Sequence, residues 1–163
     1  MRGPLLAALF MVPDTALALS CQPYNAIAAF IEAADSDDQY VAVLGRLSFD
    51  ESKVPEVDWS RQQDVRPNNF LTGRIKGKSL TPSGFDAPFA RDMKINLQCR
   101  GPWCARIQNG AEHLVFLKRK NGHYLLQVDP CGEFAFGKPD RKTIRKIESC
   151  MQGKKCDPEL PRR

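Results

Sequence analysis

The sequence predicts a mainly β domain: a small five-stranded antiparallel barrel with an N-terminal and a C-terminal helix, stabilised by disulfides. Three observations carry this expectation. Short apolar–polar alternations recur between turn-forming residues, and no strand–helix–strand alternation is present. Six cysteines follow an apolar leader. A chain of 163 residues and 18.3 kDa, 42% hydrophobic and 26% charged, suits one folded domain and excludes a two-domain nucleotide-binding enzyme or a large barrel.

Residues 1–20 read as a secretory signal. Arg2 gives the positive start, and Pro4 to Val12 form an apolar run. Small residues then follow at Ala16, Ala18 and Ser20, with cleavage expected after Ala18 or Ser20. The run is too short for a bilayer core of about 30 Å. The expectation is therefore a secreted or periplasmic protein with no transmembrane segment. Ser20 before Cys21 raises lipidation as a rival. Against it, Ala18 occupies the position where a lipid-attachment box usually has Leu, and lipidating Cys21 would leave an odd thiol.

Cys21, Cys99, Cys104, Cys131, Cys150 and Cys156 therefore read as a disulfide framework within a domain spanning 21–156. Fifteen pairings are possible. Cys99–Cys104 encloses the Gly101–Pro102 turn and Cys150–Cys156 encloses Gly153, which would leave Cys21 with Cys131. Zinc is disfavoured, because no C-x-x-C is present and His113 and His123 are ten residues apart. No cofactor or metal is implied.

Taken in order, Pro23 to Ala34 has helical spacing, with Asn25 as its cap and Ile27, Phe30, Ile31 and Ala34 on one face. Gln39 to Phe49 reads as a strand, with a bend or bulge expected at Gly45. Asp50 to Pro67 is a long polar loop in which Trp59 is expected to pack down as an anchor. Phe70 to Leu80 is the second strand region, and Thr81 to Ala87 a turn. Phe89 to Cys99 is the third strand, in which Met93, Ile95 and Leu97 alternate with polar residues. A short strand is expected over Ala105 to Ile107. Glu112 to Lys118 and His123 to Val128 form a hairpin about Asn121–Gly122, because both residues tolerate positive φ. Pro139–Asp140 opens a helix over Arg141 to Met151, with Ile144 and Ile147 facing the core. Residues 157–163 are expected to be a flexible tail. Size and strand count match an OB-fold best, with a β-sandwich second.

The leading Cys21, the strand YVAVLGRLSF, GRIKGKSL, CRGPWC, EHLVFL, YLLQVDPCG and a helix ending in Cys150 together resemble the netrin-like module. That family includes the inhibitory domain of the tissue inhibitors of metalloproteinases, and the resemblance spans roughly residues 21–150. It implies a non-enzymatic, protein-binding function. In those inhibitors the α-amine and carbonyl of a leading cysteine chelate the protease zinc. Cys21, Gln22 and Pro23, backed by Cys131 and Gly132, would be the corresponding contact residues. Pro23 stands where the family has a second cysteine, so one clamp of that segment is missing here. Trp103 has two readings: a lid over the barrel end, which is the favoured one, or an exposed contact residue.

Charge offers an alternative. The net charge is +5, but residues 1–90 carry −3 and residues 91–163 carry +8. Lys118, Arg119, Lys120, Arg141, Lys142, Arg145 and Lys146 would then form a basic patch for an anionic polysaccharide or envelope surface. Nucleic acid is not expected outside the cell, and few aromatic residues are interleaved with these charges. An enzyme built on His113 and His123 as cross-strand neighbours is a third possibility. It is disfavoured because no nucleophile–base pair or phosphate-cradling loop is legible.

Overall fold

The computed structural model describes residues 19–160, so the signal-sequence expectation falls mostly on residues outside the described ones. The strands are β1 (Gln39–Phe49), β2 (Asn68–Thr81), β3 (Gly84–Arg100), β4 (Trp103–Cys104), β5 (Glu112–Lys120), β6 (His123–Val128) and β7 (Ala135–Gly137). Helix α1 (Ala26–Asp35) precedes them and α2 (Arg141–Met151) follows. Two 3-10 turns, Glu51–Lys53 and Trp59–Asp64, lie between β1 and β2. No helix among the described residues is long and apolar enough to cross a membrane.

The strands form one mixed sheet of seven, which corrects the expectation of five strands paired only antiparallel. The order is β1-β2-β3-β6-β5-β7, with β5 also paired to β1 and β4 attached to β3. All ladders are antiparallel except β3–β6, where Lys94 to Leu97 run parallel to Leu125 to Val128. The reason is directional. The β5–β6 hairpin lies antiparallel along β1 through β5, which orients β6 along β3. The two extra strands are a two-residue return at the Cys99–Cys104 turn and a three-residue segment on β5.

β2 and β3 extend beyond the expected ranges because the turn between them is only Pro82–Ser83, not the whole of Thr81 to Ala87. No strand forms over Ala105 to Ile107. The chain has already turned at β4, and Ala105 N–H donates to Gln98 O at 2.8 Å. The β1–β2 ladder runs unbroken through Gly45, so no bulge occurs there. Gly45 instead faces Gly77 in a close backbone approach. A Cβ on Gly77 would lie 2.1 Å from Leu44 O, and one on Gly45 2.7 Å from Lys76 O. The register shift lies at Ser79/Leu80.

Two apolar layers flank β1 and β5. Val43, Leu47, Ile75, Ile95, Leu97, Val115, Leu117, Leu126 and Val128 form one. Leu114 and Phe116 pack on the other side against Ala26, Ala29, Ile147 and Cys150 of the helices. β5 is thus covered on both faces, which explains why its apolar run LVFL does not alternate. The helices are capped by short polar side chains. Asn25 Oδ1 accepts from Ile27 and Ala28 N–H at 3.0 Å, and Asp140 accepts from Thr143 N–H.

Three disulfides complete the framework: Cys21–Cys131, Cys99–Cys104 and Cys150–Cys156. Beyond Cys156, Pro158 O accepts from Asn25 Nδ2 at 2.6 Å. The segment expected to be a flexible tail therefore has one anchor at its start, and residues 161–163 lie outside the described ones.

Candidate functional site

The loop that receives Cys21 is organised by Asp129, which is buried at the end of β6. Its Oδ1 accepts from Cys131 N–H at 2.9 Å and Glu133 N–H at 3.3 Å. Its backbone carbonyl accepts from Gly132 N–H at 3.0 Å, and Gly132 supplies the positive φ that this turn needs. Arg100 lies 3.6 Å from Asp129 and offsets its charge. These bonds order the loop to which the Cys21–Cys131 disulfide fastens the N-terminal segment. Cys21, Gln22 and Pro23 are exposed on this anchor. The next residue, Tyr24, donates to Glu32 Oε2 at 2.7 Å, and burial together with Glu32 pushes its phenol pKa upward. Burial, then the nearby Asp129, raises the Glu133 carboxyl.

Trp103 stands on the two-residue β4 return, opposite Arg100 and closed by the Cys99–Cys104 disulfide. It is 37% exposed, so it borders the surface. Trp59 departs from expectation. It is 62% exposed, on a 3-10 turn that Asp58 caps. Leu19, Trp59, Pro102, Trp103, Arg106 and Pro130 border one cleft of about 260 Å³. The cleft joins the N-terminal segment, the Cys131 loop and the Trp103 turn into one face. Of the cleft residues only Trp103 was expected from the sequence as a contact residue; Leu19, Trp59, Pro102, Arg106 and Pro130 were not. The only signal for Trp59 was an aromatic in a polar, proline-flanked stretch.

The seven expected basic residues do not form one patch. Lys118 and Lys120 border a groove of about 700 Å³ across β2, β3 and the β5–β6 hairpin, together with Phe70, Lys94, His123 and Tyr124. Arg119 does not border that groove; it alternates with Lys118 and Lys120 along the strand. Lys142, Arg145 and Lys146 border a separate hollow of about 540 Å³ with Asp140, Asp157 and Glu159, and Arg141 opens the same helix. Phe70, 62% exposed, was legible as an outward position in FLTGRI, because Leu71, Gly73 and Ile75 point inward.

The histidines are not neighbours. His113 pairs with Gly45 and Gly137, whereas His123 pairs with Lys120 at the other end of β5. His113 is buried, with Nδ1 3.2 Å from Ala111 O, and burial lowers its pKa below the ordinary 6.5. Among the described residues no three His, Cys, Asp or Glu side chains cluster as a metal set. No known protein family, curated protein or solved structure matches the chain.

Proposed function

We propose that this chain is an exported, non-enzymatic protein-binding module, with a metalloprotease as the partner class. Its contact face is the Trp59–Trp103 cleft together with Cys21, Gln22 and Pro23. The observation that carries the reading is two exposed tryptophans on turns flanking one cleft, one of them clamped by a disulfide. Large rigid aromatics on pre-ordered backbone dominate binding at protein interfaces, because little freedom is lost when they are covered. An OB-type barrel is part of the proposal. The ring β1–β2–β3–β6–β5 returning to β1 supports it. Three disulfides support an oxidising compartment. The separation of His113 from His123 counts against an acid–base pair made of those two side chains.

The test uses the form beginning at Cys21 against catalytic domains of zinc metalloproteases, with peptide cleavage and tryptophan emission as readouts. Binding is expected to inhibit cleavage and shift emission to shorter wavelength. Trp59→Ala or Trp103→Ala should weaken it by about tenfold or more. One residue added before Cys21 should abolish zinc chelation; inhibition unchanged by that addition would sink the chelation mechanism. Unaltered cleavage and emission across the panel would overturn the metalloprotease reading.

A further inference from the structure

We infer that the groove across β2, β3 and the β5–β6 hairpin is a second binding site, for a polysaccharide bearing sulfate or carboxylate groups. Strand register makes the groove a built surface. Thr72 pairs with Lys94, Lys94 with Leu125, and Leu125 with Lys118, so one row crosses four strands. In that row two ammonium groups flank a half-buried leucine. One step to either side of that row on the same face, Phe70 and Lys120 occupy the alternate outward positions of β2 and β5. The face therefore carries an exposed aromatic ring, an apolar floor and a line of cations. A sugar ring with acidic substituents has the complementary parts: an apolar C–H face, a hydroxyl rim and separated anions.

The charge balance favours an anion here over the other basic cluster. Asp92 is the acidic residue bordering the groove, and Arg74 holds it at 2.7 Å. Asp38 pairs with Lys118. Lys94 and Lys120 have no carboxylate partner among the described ion pairs. Counting those paired neighbours, the groove keeps two positive charges. The α2 cluster instead faces Asp140, Asp157 and Glu159 within its own hollow. Single-stranded nucleic acid fits less well, because successive bases need successive aromatic faces. Within the groove Phe70 is the one strongly exposed ring among Phe and Tyr, and Tyr124 is engaged edge-on with Phe89 at 5.2 Å. The volume of about 700 Å³ lies within the range that holds small ligands and short oligomers.

The experiment is calorimetric titration of the intact domain with two size-defined hexasaccharides, one sulfated and one bearing only carboxylates. A single-stranded oligonucleotide of equal charge is titrated in parallel. At least one hexasaccharide is expected to bind, and the stronger identifies which acid group is read. Lys94→Glu with Lys120→Glu should weaken binding at least tenfold and flatten its salt dependence. Phe70→Ala should weaken it at least threefold with the salt dependence unchanged. Lys142→Glu with Arg145→Glu should stay within twofold. Trp59→Ala should leave glycan binding intact, which separates this site from the protein-binding face. All these positions are on the surface, and thermal unfolding checks that each variant is folded. The inference is overturned by tighter binding of the oligonucleotide, by equal losses from the groove and α2 variants, by an inert Phe70→Ala, or by no glycan binding.

Discussion

The disulfides give a prediction whose size follows from chain topology. Cys21–Cys131 closes a loop with a sequence separation of 110, whereas Cys99–Cys104 closes one of 5. In the chain-entropy description, a cross-link stabilises by restricting the unfolded ensemble, and the effect grows with the logarithm of loop length. The long loop then contributes about 5 kcal/mol and the short one about 2 kcal/mol. Replacing each pair by serines and unfolding in urea, with a slope of roughly 2 kcal/mol/M, separates them. The Cys21→Ser/Cys131→Ser midpoint should fall by roughly 2.5 M and that of Cys99→Ser/Cys104→Ser by roughly 1 M. Circular dichroism follows the sheet, and the slope checks that the unfolded state is comparable. Equal shifts at an unchanged slope, or a larger shift for the short loop, would refute the loop-closure reasoning. That result would point instead to local packing at the β4 return. Even if the long-loop variant is unfolded without denaturant, its order relative to the short-loop variant still tests the argument.

The remaining predictions concern packing and titration. Ile147 is fully buried between α2 and the sheet, so Ile147→Ala should destabilise by about 2–5 kcal/mol, read as a lowered urea midpoint. Gly77→Ala places a methyl against Leu44 O, where neither backbone can retreat without breaking the β1–β2 ladder. It should cost about 1–3 kcal/mol, and a stability equal to wild type would contradict the close approach. His113 has a folded pKa lowered by burial, so below its unfolded value of about 6.5 the unfolded chain takes up the proton first. Its contribution is present above that pH and is lost as pH falls through the folded pKa. Wild type should therefore lose more stability between pH 7.5 and 5 than His113→Gln does, and parallel pH profiles would remove His113 from the account. Both tryptophans should be readily quenched by acrylamide in the native state, since Trp59 and Trp103 are exposed. A blue-shifted, protected emission would contradict that placement.

Local chemistry made most elements legible. The spacing of Ile27, Phe30 and Ile31 after Asn25 specifies α1, and Asp140 opens α2 by accepting from Thr143 N–H, in both cases through bonds a few residues long. Asn121 and Gly122 both adopt positive φ at the β5–β6 turn, which is the property that marks them as a hairpin. β1 spans Gln39–Phe49 as its alternation implies. Trp59 shows where such reading stops. A large aromatic favours burial in general, yet its fate depends on whether the surrounding loop meets a neighbour, and here none covers it. Gly45 likewise looked like a bend but is a contact, because the partner that demands it, Gly77, lies far along the chain.

By itself the sequence determined the near-neighbour features: β character, capped helices, turns, and cysteines matched in number to three bridges. These depend on backbone preferences and periodicity within a few residues. Only the tertiary structure decided that β3 and β6 run parallel, that β5 is covered on both faces, and that the basic residues divide between a hairpin groove and a helix hollow. Each of these is set by which distant strands pair. Strand pairing is a competition among non-local contacts whose outcome no short window of sequence contains. The Trp59–Trp103 cleft belongs to that second class, since three separate loops meet to form it.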